Sequence, residues 1–365
     1  MIKNLPTNQS PEPDGFTGDF YYIKMALDGE DVSEVVYNNL VESVGSALPS
    51  VHRYISLRKK ILGYETQHMY DIYAPLVEDA EIKLGFDEAY ELIVEGLAPL
   101  GKDYQELLRT GKKDRWIDVH ENDGKRSGAY SIGAYGVHPY VLLNYQETTN
   151  DIFTIAHEMG HAIHTYQSSD AQPYSKSQYT IFLAEIASTV NEVLLMKHLY
   201  ATTEDKNVKK FLLNYYMDMM RATLFRQTQF AEFEQLAHAK AENGEPLTKE
   251  NLCEIYYGLN KKYYGEGIEH DQEIAYEWAR IPHFYRSFYV YKYATGIISA
   301  ISIVKRILTE GEPAVKDYFE FLRGGNSTDP VAILKKAGVD LTTKAPFETA
   351  MKEFETTLEE FEKLL

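Results

Sequence analysis

The chain has 365 residues, of which 44% are hydrophobic, and 37 Lys plus Arg stand against 55 Asp plus Glu for a formal net charge of −18. That is enough chain to bury a large core in one large domain or two modest ones, and the composition excludes a disordered, collagen-like or low-complexity protein. A surface this acidic repels phosphate backbones and anionic membranes, so neither nucleic acid nor membrane is expected as a partner.

The N-terminus turns polar within ten residues, without the apolar core of a signal peptide, and the single cysteine, Cys253, cannot bridge internally. The most apolar stretch, 294–308, is broken by Ser299, Ser302, Lys305 and Arg306 and falls short of a membrane span. A soluble, cytoplasmic protein is the expectation. Residues 1–30, with Pro6, Pro11, Pro13, Gly15 and Gly18, read as an irregular arm. From Asp31, apolar residues at Val32, Val35, Val36, Leu40 and Val44 recur every three or four positions, and Pro49 is expected to end that helix. A second helix is expected through Ile55, Leu57 and Ile61.

Helical periodicity returns over 89–97, 104–108, 211–239, 252–264, 314–322 and 347–365. The exception is 115–145, where Trp116–Val119 and Tyr140–Leu143 flank a stretch punctuated by Gly124, Gly128, Gly133 and Gly136, the pattern of short strands joined by turns. No fixed repeat and no Gly/Ser or Pro-rich linker divides 31–365. The predicted architecture is mostly α, with a small β-sheet beside the helix that follows it.

That helix carries the chemistry. Thr148 to Asp151 offers a capping-box start, and apolar residues follow at Ile152, Ile155, Ala156, Met159, Ala162 and Ile163. Among them lie His157, Glu158 and His161. A four-residue step turns about 400° around an α-helix, so the two imidazoles project from nearly one line and can share a zinc ion. Glu158, rotated off that line, suits a carboxylate that takes a proton from zinc-bound water.

A zinc hydrolase needs a third protein ligand and one open position. A histidine six residues beyond His161 would supply it in one zinc pattern, but that residue is Gln167; His164 suits a capping or ligand-orienting role instead. The better candidate is Glu185, in the otherwise apolar run Ile181–Leu195, where an isolated charge would be untenable unless paired or coordinated. Glu192, seven residues on, returns to the same face and could orient a ligating histidine or pair with a neighbouring helix.

These segments resemble the M3 metallopeptidases of the oligoendopeptidase F type. The resemblance rests on His157-Glu158-Met159-Gly160-His161, Ala184–Thr189, Arg126–Tyr130, His138–Tyr145, Ile281–Tyr285 and Phe288–Gly296. It implies a zincin-like helical catalytic domain over 31–365, one Zn2+ held by His157, His161 and Glu185, and hydrolysis of internal bonds in short peptides with Glu158 as general base and acid. It further implies that His283, with Tyr289 or Tyr291, reaches the peptide carbonyl. Full-length members carry a sizeable helical region ahead of the part matched here, which leaves 1–30 as an unmatched arm. The alternative expectation is therefore a catalytically impaired peptide-binding remnant that keeps its zinc site.

Overall fold

Helices dominate the computed structural model, which describes residues 22–77, 80 and 82–365. In chain order they are α1 (Tyr22–Asp28), α2 (Glu34–Leu62), α3 (Phe86–Gly96) and α4 (Lys102–Lys113). Strands β1 (Ile117–Asp118), β2 (Tyr130–Ile132) and β3 (Tyr140–Leu142) come next. There follow α5 (Thr149–Ala171), α6 (Ile181–Thr202), α7 (Lys206–Met220), α8 (Arg226–Glu242) and α9 (Lys249–Tyr264). The last are α10 (Tyr291–Glu310), α11 (Glu312–Leu322), α12 (Pro330–Lys336) and α13 (Ala345–Leu364).

The chain forms two compact units, one from residues up to Ala74 with Phe225–Ala294, the other from Pro75–Leu224 with Thr295–Leu365. In the first, α2 packs against α8 and α9 through a continuous buried face that includes Val36, Leu40, Val44, Leu48, Val51 and Ile55. Pro49 does not end this helix; it lies inside it, and the two helices expected on either side are one. Proline costs a helix one hydrogen bond and a clash with the carbonyl four residues back. Here that residue is Gly45, and apolar burial on both sides of Pro49 outweighs the local penalty.

Arg58, near the C-terminal end of α2, is fully buried and donates to the Tyr54 hydroxyl and the Ala74 carbonyl, at 3.2 and 2.5 Å. The irregular arm is also corrected in part. Residues 22–28 are helical, Leu27 is buried, and Glu30 pairs with Lys292; residues 1–21 lie outside the described positions.

The second unit is organised around α5 and α6, with α3 and α11 against both or one of them and α7 bridging α6 to α13. Its sheet has the order β1-β3-β2. β1 runs parallel to β3, with Ile117 opposite Val141, and β2 runs antiparallel to it, with Ser131 opposite Val141. β2 arises inside the glycine-punctuated stretch and forms one edge of the sheet, against α5. No helix among the described residues is long and apolar enough to cross a membrane.

Candidate active site

The capping box read from sequence is present. The Thr148 hydroxyl oxygen accepts from the Asp151 N–H, and the Asp151 carboxylate accepts from the Thr148 N–H. From that start α5 runs to Ala171, buried on most of its circumference, and it carries His157, Glu158 and His161 against α6.

Gly160 makes the close approach of the two helices possible. A Cβ there would sit 2.5 Å from Ser188 Cα and 2.7 Å from the Ala187 carbonyl oxygen. Buried Asn191 on α6 fastens the pair, donating to the Ala156 carbonyl at 2.9 Å and accepting from the Tyr104 hydroxyl at 2.8 Å. Gly296 on α10 lies against Glu185 from another side, where a Cβ would meet Glu185 Cβ at 3.2 Å.

This packing brings three donor atoms together. His157 Nε2 and His161 Nε2 are 3.1 Å apart, and Glu185 Oε2 lies 3.6 and 3.7 Å from them. A tetrahedral ion with bonds of about 2.0–2.1 Å sets its ligands ~3.4 Å apart, so the triangle fits a small divalent cation. His157 Nδ1 donates to Glu192 Oε1 at 2.6 Å, which puts the proton on Nδ1 and turns the Nε2 lone pair toward the other two ligands. His161 is held by the Ala184 carbonyl.

The electrostatics ask for a cation. Burial alone would lower His157, but Glu192 first, then Glu185 and Glu158, raise it to about 9. Burial, then the charge of His157, lower His161 to about 3. Burial raises Glu185. Three carboxyls thus crowd the two imidazoles. Among the described residues, no other group of three or more such side chains is arranged to hold a metal.

Glu158 is 7% exposed, and burial pushes it to about 7, with His157 opposing and Glu185 and Glu192 adding to the rise. It accepts from the backbone N–H of Ser131 on β2, and its Oε2 has no hydrogen-bond partner among the described residues. The edge strand therefore aims this carboxyl, a role that sequence reading of the glycine-rich stretch did not reveal. His164, expected to cap or orient, does neither. Its ring is fully buried, stacked 3.7 Å from Tyr179, with neither nitrogen hydrogen-bonded among the described residues, and burial lowers it to about 3.

Within the first unit, His283 and Tyr289 stack at 5.9 Å and 9°. The expectation for Tyr291 is corrected. This residue begins α10 turned inward, has 0% exposure and packs its ring 5.2 Å from Tyr37. The hydroxyl that joins the pair belongs to Tyr293, 3.4 Å from both His283 Nε2 and the Tyr289 hydroxyl. Four tyrosines spaced by two or four residues gave no sequence signal for choosing among them; the i, i+4 step from Tyr289 to Tyr293 along the start of α10 is the one that pairs.

Comparison with known proteins bears on the family of the chain. The model of peptidase family M3 matches residues 20–353. Oligopeptidase PepF of Bacillus subtilis is 51% identical over 93% of this chain and 51% of its own length. An oligoendopeptidase F homolog of Lactococcus lactis is 45% identical over 93% of this chain and 56% of its own. The crystal structure of oligoendopeptidase-F from Enterococcus faecium superimposes with a TM-score of 0.74 at 39% identity, covering 93% of this chain and 55% of that one. The chain spans about half the length of the curated relatives it matches. On the strength of a match across most of its residues, the chain belongs to peptidase family M3.

Proposed function

We propose that residues 31–365 are the catalytic part of a zinc-dependent endopeptidase that hydrolyses internal bonds of short peptides, and that His157, His161 and Glu185 hold one Zn2+. The observation that carries this reading is the triangle of 3.1, 3.6 and 3.7 Å between two imidazole nitrogens and a carboxylate oxygen from separate helices. Two nitrogens, one oxygen and an open fourth position are the donor set of a catalytic zinc, whereas a structural site is closed by four protein ligands. When bound, zinc supplies Lewis acidity: it makes water acidic near pH 7 and polarises a carbonyl.

The side chains do the rest. Glu158, held near neutrality by burial, takes the proton of the attacking water on its unpartnered Oε2 and passes it to the leaving amine. The Ser131 N–H keeps its other oxygen in place. Glu192 keeps His157 in the ligating tautomer. His283 and Tyr289, joined by Tyr293, donate to the oxygen on which negative charge develops. Buried Tyr291 supports that group by packing.

Short peptides are the proposed partners, and the family likeness supports that class. A cytoplasmic setting is part of the proposal, supported by Cys253, a free thiol that accepts from the Trp278 indole N–H at 3.5 Å. An end-blocked, internally quenched peptide tests the activity. The chain should cleave it with one equivalent of zinc bound, a chelator should abolish cleavage, and Glu158→Gln should keep the metal without turning over. Cleavage that survives complete removal of metal would refute the zinc mechanism, and full metal binding with no cleavage by the wild-type chain would favour the peptide-binding remnant.

A further inference from the structure

In the first unit, Glu234 on α8 is 3% exposed, yet among the described residues it accepts one hydrogen bond, from the backbone N–H of Phe288 at 2.9 Å. Its Oε2 is buried without a partner among the described residues. A buried carboxyl is a costly way to satisfy a single N–H, which an amide or hydroxyl would serve. The residue it holds is itself unusual. Phe288 has a φ of +53°, in the left-handed region that an aromatic L-residue rarely enters. Such strain persists only where the surroundings over-determine it.

They do so here. The Phe288 ring is fixed edge-on to Tyr37 at 5.9 Å and against His238 at 4.7 Å. Lys292, 4% exposed and paired with Glu30, sets its ammonium 5.1 Å from the centre of the Tyr289 ring, and the Arg286 guanidinium lies 4.8 Å from it. The left-handed turn at 288 immediately precedes Tyr289, so the direction it gives the chain decides where that ring stands. A relaxed φ would send residues 289–293 elsewhere and separate Tyr289 and Tyr293 from His283.

We propose that Glu234 is a positioning residue for the donor group: by holding the Phe288 N–H it keeps the left-handed turn that sets the Tyr289 ring and the Tyr293 hydroxyl against His283. This rests on the assignment of His283 and Tyr289 as donors to the peptide carbonyl. Glu234 touches no substrate atom in this role.

Two variants and a spectroscopic readout test it. Glu234→Leu removes the acceptor, whereas Glu234→Gln keeps an amide oxygen where the carboxylate oxygen accepts. The imidazole Cε1–H resonance of His283, identified with His283→Asn, reports the ring stacked on it. E234L should move that resonance and lower kcat on the quenched peptide by about 10²-fold with KM changed less than threefold, at unchanged zinc content. E234Q should leave the resonance in place and restore kcat to within about threefold of wild type.

An unmoved His283 resonance in E234L, or an E234Q as impaired as E234L, overturns the proposal. If E234L does not fold, Glu234→Met replaces it, since it fills similar space and offers no oxygen to the Phe288 N–H; an unmoved resonance there is equally fatal. A wild-type chain without turnover would sink the peptidase reading alone, because the resonance still reports whether Glu234 sets the ring.

Discussion

Gly160→Ala should damage the metal centre without touching a ligand. The added Cβ would stand 2.5 Å from Ser188 Cα, 2.7 Å from the Ala187 carbonyl oxygen and 2.8 Å from the Ser188 nitrogen. All three are backbone atoms of α6, so no side chain can rotate away. Restoring ordinary carbon contact at ~3.5 Å requires the helices to part by about 1 Å. His157 and His161 ride on α5 and Glu185 on α6, so the 3.6 and 3.7 Å separations that close the triangle would open by a comparable amount. Metal sites tolerate deviations of only about 0.2 Å in bond length, and overpacking a core costs about 1–3 kcal/mol.

Competition with a chromophoric chelator should therefore find zinc affinity reduced at least tenfold in Gly160→Ala, with a lower midpoint of thermal unfolding. The matched control is Gly258→Ala on α9, where a Cβ meets nothing within 4 Å, and which should stabilise the chain by about 0.5–1 kcal/mol. Wild-type zinc affinity in Gly160→Ala, measured beside that control, would refute the reasoning that helix approach sets the ligand triangle.

Glu158→Gln should keep one equivalent of zinc and lose about 10²–10⁴-fold in kcat, since the amide cannot take the proton of water; turnover within a few-fold of wild type would remove Glu158 from the mechanism. Glu192→Gln should weaken zinc binding about 10–100-fold by loosening the His157 tautomer, as chelator competition would report. Glu234 predicts a pH dependence. Burial raises its folded pKa from 4.5 to about 8, so the folded chain binds the extra proton in that window, and its contribution is fully present below pH 4.5 and lost as pH rises through 8. The loss is roughly 4–5 kcal/mol at most. Denaturant unfolding followed by Trp278 in a Trp116→Phe background should show wild type losing stability against E234Q between pH 5 and 8, and parallel curves would contradict it.

Much of the site was legible because its signals are local. The capping box at Thr148, the four-residue step from His157 to His161 and the isolated carboxylate of Glu185 in an apolar helix each follow from spacing within one element. What was illegible depends on what another element does. Pro49 obeys its local rule only when burial on either side is weak, and here α2 is buried along its whole length. The glycine-punctuated stretch read as short strands joined by turns, but that the Ser131 N–H of β2 meets Glu158 depends on how the sheet lies against α5. Tyr291 and Tyr293 differ by two residues on α10, so one faces the core and the other does not, and only the packing of Tyr291 on Tyr37 says which.

The same distinction makes His157 the more dependent of the two proposed histidine ligands on its surroundings. His161 is held by a carbonyl that belongs to α6 whatever residue stands there, so its orientation needs only the helix to be present. His157 instead depends on one side chain, Glu192, whose carboxylate oxygen sits 2.6 Å from Nδ1. Glu158 and Glu185 are both raised by burial, with the neighbouring carboxyls adding to the rise, and a shared cation would offset that repulsion. The arrangement is therefore poised so that binding a divalent ion relieves the repulsion among Glu158, Glu185 and Glu192 at once. Glu192→Gln should change the number of protons released when zinc binds, which potentiometric titration measures directly; identical proton counts in wild type and Glu192→Gln would contradict this coupling.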